Sequence, residues 1–170
     1  MKTQIWATFC DVKYKAYLIS ILVNKYQKWD RNINIFTALA SSTSVASWII
    51  WEKYQLIWSI IIVLSQIVTV VKPYFPYFKY VRELNDRSQK IDSLSIDFEK
   101  LWHDFQVKTL NTNEASALYF NLKKSLNEIL NFGDDIIFST SKNDEQKANQ
   151  KMKVYLKNNF NIEINLPSKS

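Results

Sequence analysis

Two stretches without a single charged residue lie back to back in this chain, and they constrain its fold more than any other feature. Residues 32–51 are twenty positions bounded by Arg31 and Glu52, and residues 54–71 are eighteen, bounded by Lys53 and Lys72. The hydrocarbon core of a bilayer is about 30 Å thick, which a helix crosses in roughly 20 residues. Only Glu52-Lys53 separates the two stretches. The spacing predicts a tight hairpin of two transmembrane helices.

Composition agrees with helices throughout. One glycine and three prolines in 170 residues leave few breakers, and no stretch shows sustained alternation of period two, so the expected class is all-α. A single cysteine, Cys10, excludes an internal disulfide framework and a multi-cysteine metal site. The first twenty residues carry Asp11, Lys13 and Lys15 and lack an apolar core followed by a small-residue cleavage site, so the first span is expected to direct insertion. Lys13, Lys15, Lys25, Lys28 and Arg31 precede the hairpin, and Lys72, Lys79, Arg82, Arg87 and Lys90 follow it. The positive-inside rule then places both termini in the cytoplasm. It also gives the net charge of +6 a plain role beside anionic head groups, ahead of nucleic-acid binding. Trp48, Trp51, Tyr54 and Trp58 at the turn, with Trp29 and the aromatics from Tyr74 to Tyr80 at the other end, read as two interfacial belts.

Three regions follow: an N-terminal helix over 1–31, the membrane hairpin over 32–72 and a cytoplasmic helical region over 73–170. In the first, Phe9, Val12, Tyr17, Leu18, Ile21, Leu22 and Trp29 recur at helical spacing, as for an amphipathic helix lying on the membrane or packing on other helices. Pro73 and Pro76 punctuate the end of the second span. Leu84, Ile91, Leu94, Phe98, Leu101 and Phe105 are spaced seven, three, four, three and four. That is a heptad seam, with Arg87 interrupting one position, on a helix from about Tyr77 to Lys108; we expect copies to pack along it. Asn111 and Glu114 have capping-box spacing and open a second helix. Its expected apolar face is Leu118, Leu122, Leu126, Ile129 and Leu130, with Gly133 placed to end it. The two helices form an antiparallel hairpin, and Ser141 caps a further helix to about Asn158. The segment from Asn161 reads as a tail.

Enzyme signatures are missing. One glycine cannot build a phosphate loop, and His103 is the only histidine; a structural or solvated role explains it better than catalysis. Asp134-Asp135 suit a helix end. The chain is expected not to be an enzyme and to hold no cofactor or metal. The unusual chemistry lies in the first span, where Asn34, Thr37, Ser41 and Ser44 are spaced three, four and three and share one helical face. Gln66 adds an amide to the second span, and an unpartnered amide in lipid costs several kcal/mol. Such a stripe either lets helices approach and hydrogen-bond across their interface or lines a water-filled pathway in an oligomer. The residues by themselves leave both open.

The layout of a basic–aromatic first helix (YKAYLISILVNKYQKWDRN), a Ser-rich first span (FTALASSTSVASWIIW), a very short turn, a second span and a long cytoplasmic helix resembles the SLATT family. These are the SMODS- and SLOG-associating two-transmembrane effectors of bacterial anti-phage systems. The resemblance covers roughly residues 10–108 and rests on the architecture and on the segments KYQKWDRN and ALASSTSVAS. It implies an oligomeric pore or ion channel of the bacterial inner membrane. A nucleotide signal from a nucleotidyltransferase encoded nearby would control it, and it would depolarise the membrane in antiviral defence. Hailong-type effectors are a similar branch, paired with an enzyme that makes DNA oligomers. On that implication the pore would be lined by Asn34, Thr37, Ser41, Ser44 and Gln66. A phosphate-rich signal would meet Arg82, Arg87 and Lys90, or Lys123 and Lys124, with Tyr119 or Trp102 as stacking partners. The alternative is a non-conducting anchor whose cytoplasmic helices recruit a partner protein. A third reading is a holin-like or toxin pore without nucleotide control.

Overall fold

The computed structural model describes residues 1–50, 55–71, 76–131 and 140–162, with side chains for all of these except 39–50, 55, 58 and 76–80. The described residues form five helices and no strand: α1 Lys2–Ile50, α2 Gln55–Val71, α3 Pro76–Gln106, α4 Thr112–Leu130 and α5 Lys142–Phe160. The all-α class therefore holds. Gly133, Asp134 and Asp135, and the tail from 163 onward, lie outside the described residues.

The first correction concerns α1. Sequence reading separates an N-terminal helix from a first span at residue 31, but one helix of 49 residues runs through that border. The reason is local: no glycine or proline occurs before Pro73, so nothing interrupts the ladder of backbone hydrogen bonds. The chain instead divides into compact units after Val23 and after Glu83. Residues 1–23 fold with the described residues from Leu84 onward, and 24–83 form a second unit.

The first unit packs four helical segments around one apolar core. On α1 the buried apolar positions are Ile5, Phe9, Val12, Ala16, Ile19, Leu22 and Val23; all but Leu22 are spaced four, three, four, three and four, which is itself an a/d pattern. This stripe differs from the one expected: Trp29 is exposed, and Ile5, Ala16 and Ile19 take the inward positions. Of the two fates open to this segment, it packs on other helices. The α3 seam is buried from Leu84 through Ile91, Leu94 and Phe98 to Leu101, while Phe105 at its end is only half-buried. Its covering comes from within the chain, through Trp6 on Trp102 and Phe98 on Tyr119, so the seam is not free to pair copies of the protein. On α4 the buried side chains are Ala115, Tyr119 and Leu126, while Leu118 is exposed. The inward face is thus rotated from the expected one. Met152 and Leu156 line α5, and Phe160 meets Trp6 and Phe9. Each fully buried side chain of this size stabilises by about 1.5–3 kcal/mol relative to exposure.

Caps fix the ends of these helices. Asn111 accepts from the backbone N–H of Asn113 and Glu114, and the Glu114 carboxylate accepts from the Asn111 N–H. Ser141 and Asp144 form the same reciprocal box at α5. Beyond α3, Lys108 takes a left-handed φ of 59°, and the Thr109 N–H reaches back to the Asp104 carbonyl at 3.1 Å, closing the turn in the Schellman manner.

In the second unit, α2 carries no charge and exposes aliphatic side chains on most of its circumference. Among the described residues no helix is long and apolar enough to cross a membrane. At about 1.5 Å per residue, the 17 described residues of α2 cover about 25 Å; 51–54 and 72–75 on either side lie outside the described residues.

Candidate functional site

Two places could do chemistry or binding, one in each unit. In the second unit the relevant surface is α2. Leu56, Ile57, Ile60, Val63, Leu64, Ile67, Val70 and Val71 are between 38 % and 74 % exposed, while Ser65 is buried. The Ser65 hydroxyl donates to the Ile62 carbonyl and the Thr69 hydroxyl to the Ser65 carbonyl, both at 2.8 Å. These bonds back into the helix satisfy the hydroxyl proton without help from water.

The expected pore-lining residues are placed unevenly. Thr37 is half-buried and donates to the Ile33 carbonyl at 2.8 Å. Asn34 is exposed and donates to the Asp30 carboxylate at 3.1 Å. Ser41 and Ser44 lie on α1 with their side chains outside the described residues. Gln66 is exposed on α2 without a hydrogen bond among the described residues; its neighbour Ser65 holds the buried polar position.

The expected ligand cations are dispersed. Arg82 belongs to the second unit, Arg87 and Lys90 to the first. Arg87 donates to the carbonyls of Ile129 and Asn131 at 2.7 and 2.9 Å. It thereby caps the C-terminus of α4, where carbonyls lack helical partners and a cation meets the negative end of the dipole. Lys90 pairs with Asp86 at 2.7 Å, Lys123 lies over the Tyr119 ring, and Lys124 is exposed. Tyr119 is buried and donates to or accepts from Thr8 at 3.0 Å, so its ring serves the core. His103 is exposed beside Asp104. No cluster of metal-ligand side chains occurs among the described residues.

A groove between α1 and α5, of about 650 Å³, gathers a different set: Tyr17, Ile21, Lys147, Gln150, Lys151, Val154, Tyr155, Asn158 and Asn159. Behind its two tyrosines lies Lys13, which is 8 % exposed. Its ammonium donates to Ser95 Oγ at 3.2 Å and sits 4.9 Å from the Tyr155 ring and 5.8 Å from that of Tyr17. A cation so enclosed takes part of its solvation from the aromatic faces. The Tyr155 hydroxyl is buried without a hydrogen-bond partner in reach. Burial first, then the nearby Glu99 carboxylate, pushes its phenol well above the ordinary tyrosine range. Tyr17 moves the same way through burial, Asp92 and Glu99. Both phenols therefore stay protonated at any physiological pH.

Sequence reading missed this groove because its residues come from positions 17–21 and 147–159. The available signal is in α5: after Asp144 and Glu145 it carries four lysines and no acid. No family model, curated protein or solved structure matches the chain.

Proposed function

We propose that the chain is a membrane-embedded effector that assembles into an ion-conducting pore, opened or closed by a nucleotide signal from a partner nucleotidyltransferase, in bacterial anti-phage defence. The observation that carries the membrane part is the exterior of α2. Eight large aliphatic side chains face outward on a helix without a charge, whereas soluble proteins seldom expose so large a contiguous apolar area. Lipid covers such a surface at no cost, and the back-bonded hydroxyls of Ser65 and Thr69 on α2 suit an environment without water. In this reading the two charge-free stretches form the membrane hairpin and both termini face the cytoplasm.

The conducting part rests on the polar face of Asn34, Thr37, Ser41 and Ser44 and on the resemblance to SLATT effectors. Two helices cannot enclose a channel, so the pore requires several copies.

Ion flux through liposomes carrying the purified chain, with and without short oligonucleotides and cyclic dinucleotides, tests the proposal. Flux switched by a nucleotide supports it. Flux indifferent to every nucleotide would leave a toxin-like pore. Inserted, oligomeric protein without flux would favour the non-conducting anchor instead.

A further inference from the structure

We infer that the groove between α1 and α5 is the nucleotide site, with phosphate held by Lys147 and Lys151 and a base stacked on Tyr17. This rests on the reading of the protein as nucleotide-controlled and names where that control acts, in place of the dispersed cations read from sequence.

Charge is the first argument. Lys147 and Lys151 are one helical turn apart, an arrangement in which like charges repel. Neither forms an ion pair among the described residues, although ion pairs hold Lys15 and Lys90 to carboxylates elsewhere. Positive charge is thus left uncompensated on the rim of a concave site, as recognition of phosphate requires. The carboxylates of Asp92 and Glu99 act on the groove tyrosines and oppose an anion there. Lys13, enclosed between the same rings, offsets them from behind.

The second argument is the aromatic floor. Lys151 rests 5.9 Å from the Tyr17 ring. An exposed cation–π contact of this kind is weaker than stacking of a base on an aromatic ring. A base can therefore displace the ammonium, which is then free to reach the phosphate. Gln150 and Asn158 are exposed on the groove and offer amide donors and acceptors to a base edge.

Polarity gives the direction. The C-terminal end of α5, near Asn158, carries the negative end of the helix dipole and disfavours an anion. The phosphate consequently lies toward Lys147 and the base toward Asn158. A volume of about 650 Å³ falls within the usual range for small-molecule sites and suits one or two nucleotides.

The test is fluorescence anisotropy of labelled mononucleotides, cyclic dinucleotides and short single-stranded DNA with the full chain in detergent. The variants are Lys147→Glu/Lys151→Glu and, as a control, Lys123→Glu/Lys124→Glu. We expect one nucleotide class to bind, with affinity falling roughly 100-fold in the first variant, about tenfold per lysine, and by less than about threefold in the control. Circular dichroism melts at the wild-type temperature establish that both variants are folded; if the double glutamate unfolds, Lys147→Gln/Lys151→Gln takes its place. Equal affinity in the folded groove variant and wild type would move the site elsewhere. Absence of binding to every nucleotide at low salt would overturn the inference. So would a groove variant that loses only affinity for anionic vesicles, which would assign the lysines to a membrane surface. Flux is read separately: a conducting pore that binds no nucleotide sinks this site and leaves the pore standing.

Discussion

Phe98 and Leu64 are both large apolar residues on helices of this chain, yet one is fully buried and the other half exposed. The difference runs through the whole molecule. In the first unit apolar residues recur every three or four positions, and polar ones occupy the outer faces. Along α2 they recur at nearly every position, so no arrangement of one or two neighbours could cover them. Apolar residues on one stripe need helices on one side only, whereas apolar residues at nearly every position need a covering all round, which lipid supplies in the proposed reading. On that reading the same hydrophobic effect acts internally in one unit and externally in the other.

The largest expected effect comes from Ile60→Asp with Ile67→Asp. Each acid within a membrane helix costs about 2.5–3.5 kcal/mol, so the double variant should no longer insert α2, read as loss of that segment's protection from protease in membranes. Unchanged protection would remove lipid as the covering of α2. Next is Phe98→Ala, for which denaturant titration should record a loss of about 3–5 kcal/mol. Leu64→Ala should stay within about 0.5 kcal/mol; equal losses at the two sites would erase the contrast between the units. Arg87→Ala removes the cap from α4 and should cost about 1–3 kcal/mol, seen as faster hydrogen exchange confined to the last turn of that helix. Asn111→Ala should cost about 1 kcal/mol, read as a lower melting temperature of the first unit alone.

The smallest effect is one of pH. Burial raises the Cys10 thiol from 9.0 to about 11. Because the folded value exceeds the unfolded one, the protonated thiol's contribution is complete below pH 9 and is lost as pH rises toward 11. Melting temperature should be level up to pH 9 and fall above it, less steeply in Cys10→Ala. An unchanged slope in that variant would place the alkaline loss in Tyr155, whose phenol is raised as well.

Local signals were legible where the physics is local. The Asn111–Glu114 box was legible from its three-residue spacing, Ser141 as a cap and the α3 seam from its heptads, because each depends on residues within one or two turns. Inward faces containing small or polar residues were harder. Ala16, Ala115 and Ala148 are buried along with Lys13, Ser95 and Asp144, and none draws the eye in a search for large apolar side chains. That is why the stripes of α1 and α4 were read a fraction of a turn away from their true positions. The function of Arg87 was invisible for another reason: its carbonyl partners lie 42 and 44 residues away. In the candidate site, Tyr17 and Lys151 meet only once the first and last helices pack.

The enclosure of Lys13 also gives the protein an internal record of its own opening. An acylating reagent in water finds exposed lysines at once, but it reaches this amine slowly while the residue is only 8 % exposed beside the rings of Tyr17 and Tyr155 and the hydroxyl of Ser95. A separation of α1 and α5 long enough for reaction leaves a permanent mark at one position. The modified fraction at that position, read by mass spectrometry over hours, would report how readily the two helices part, in membranes or in living cells.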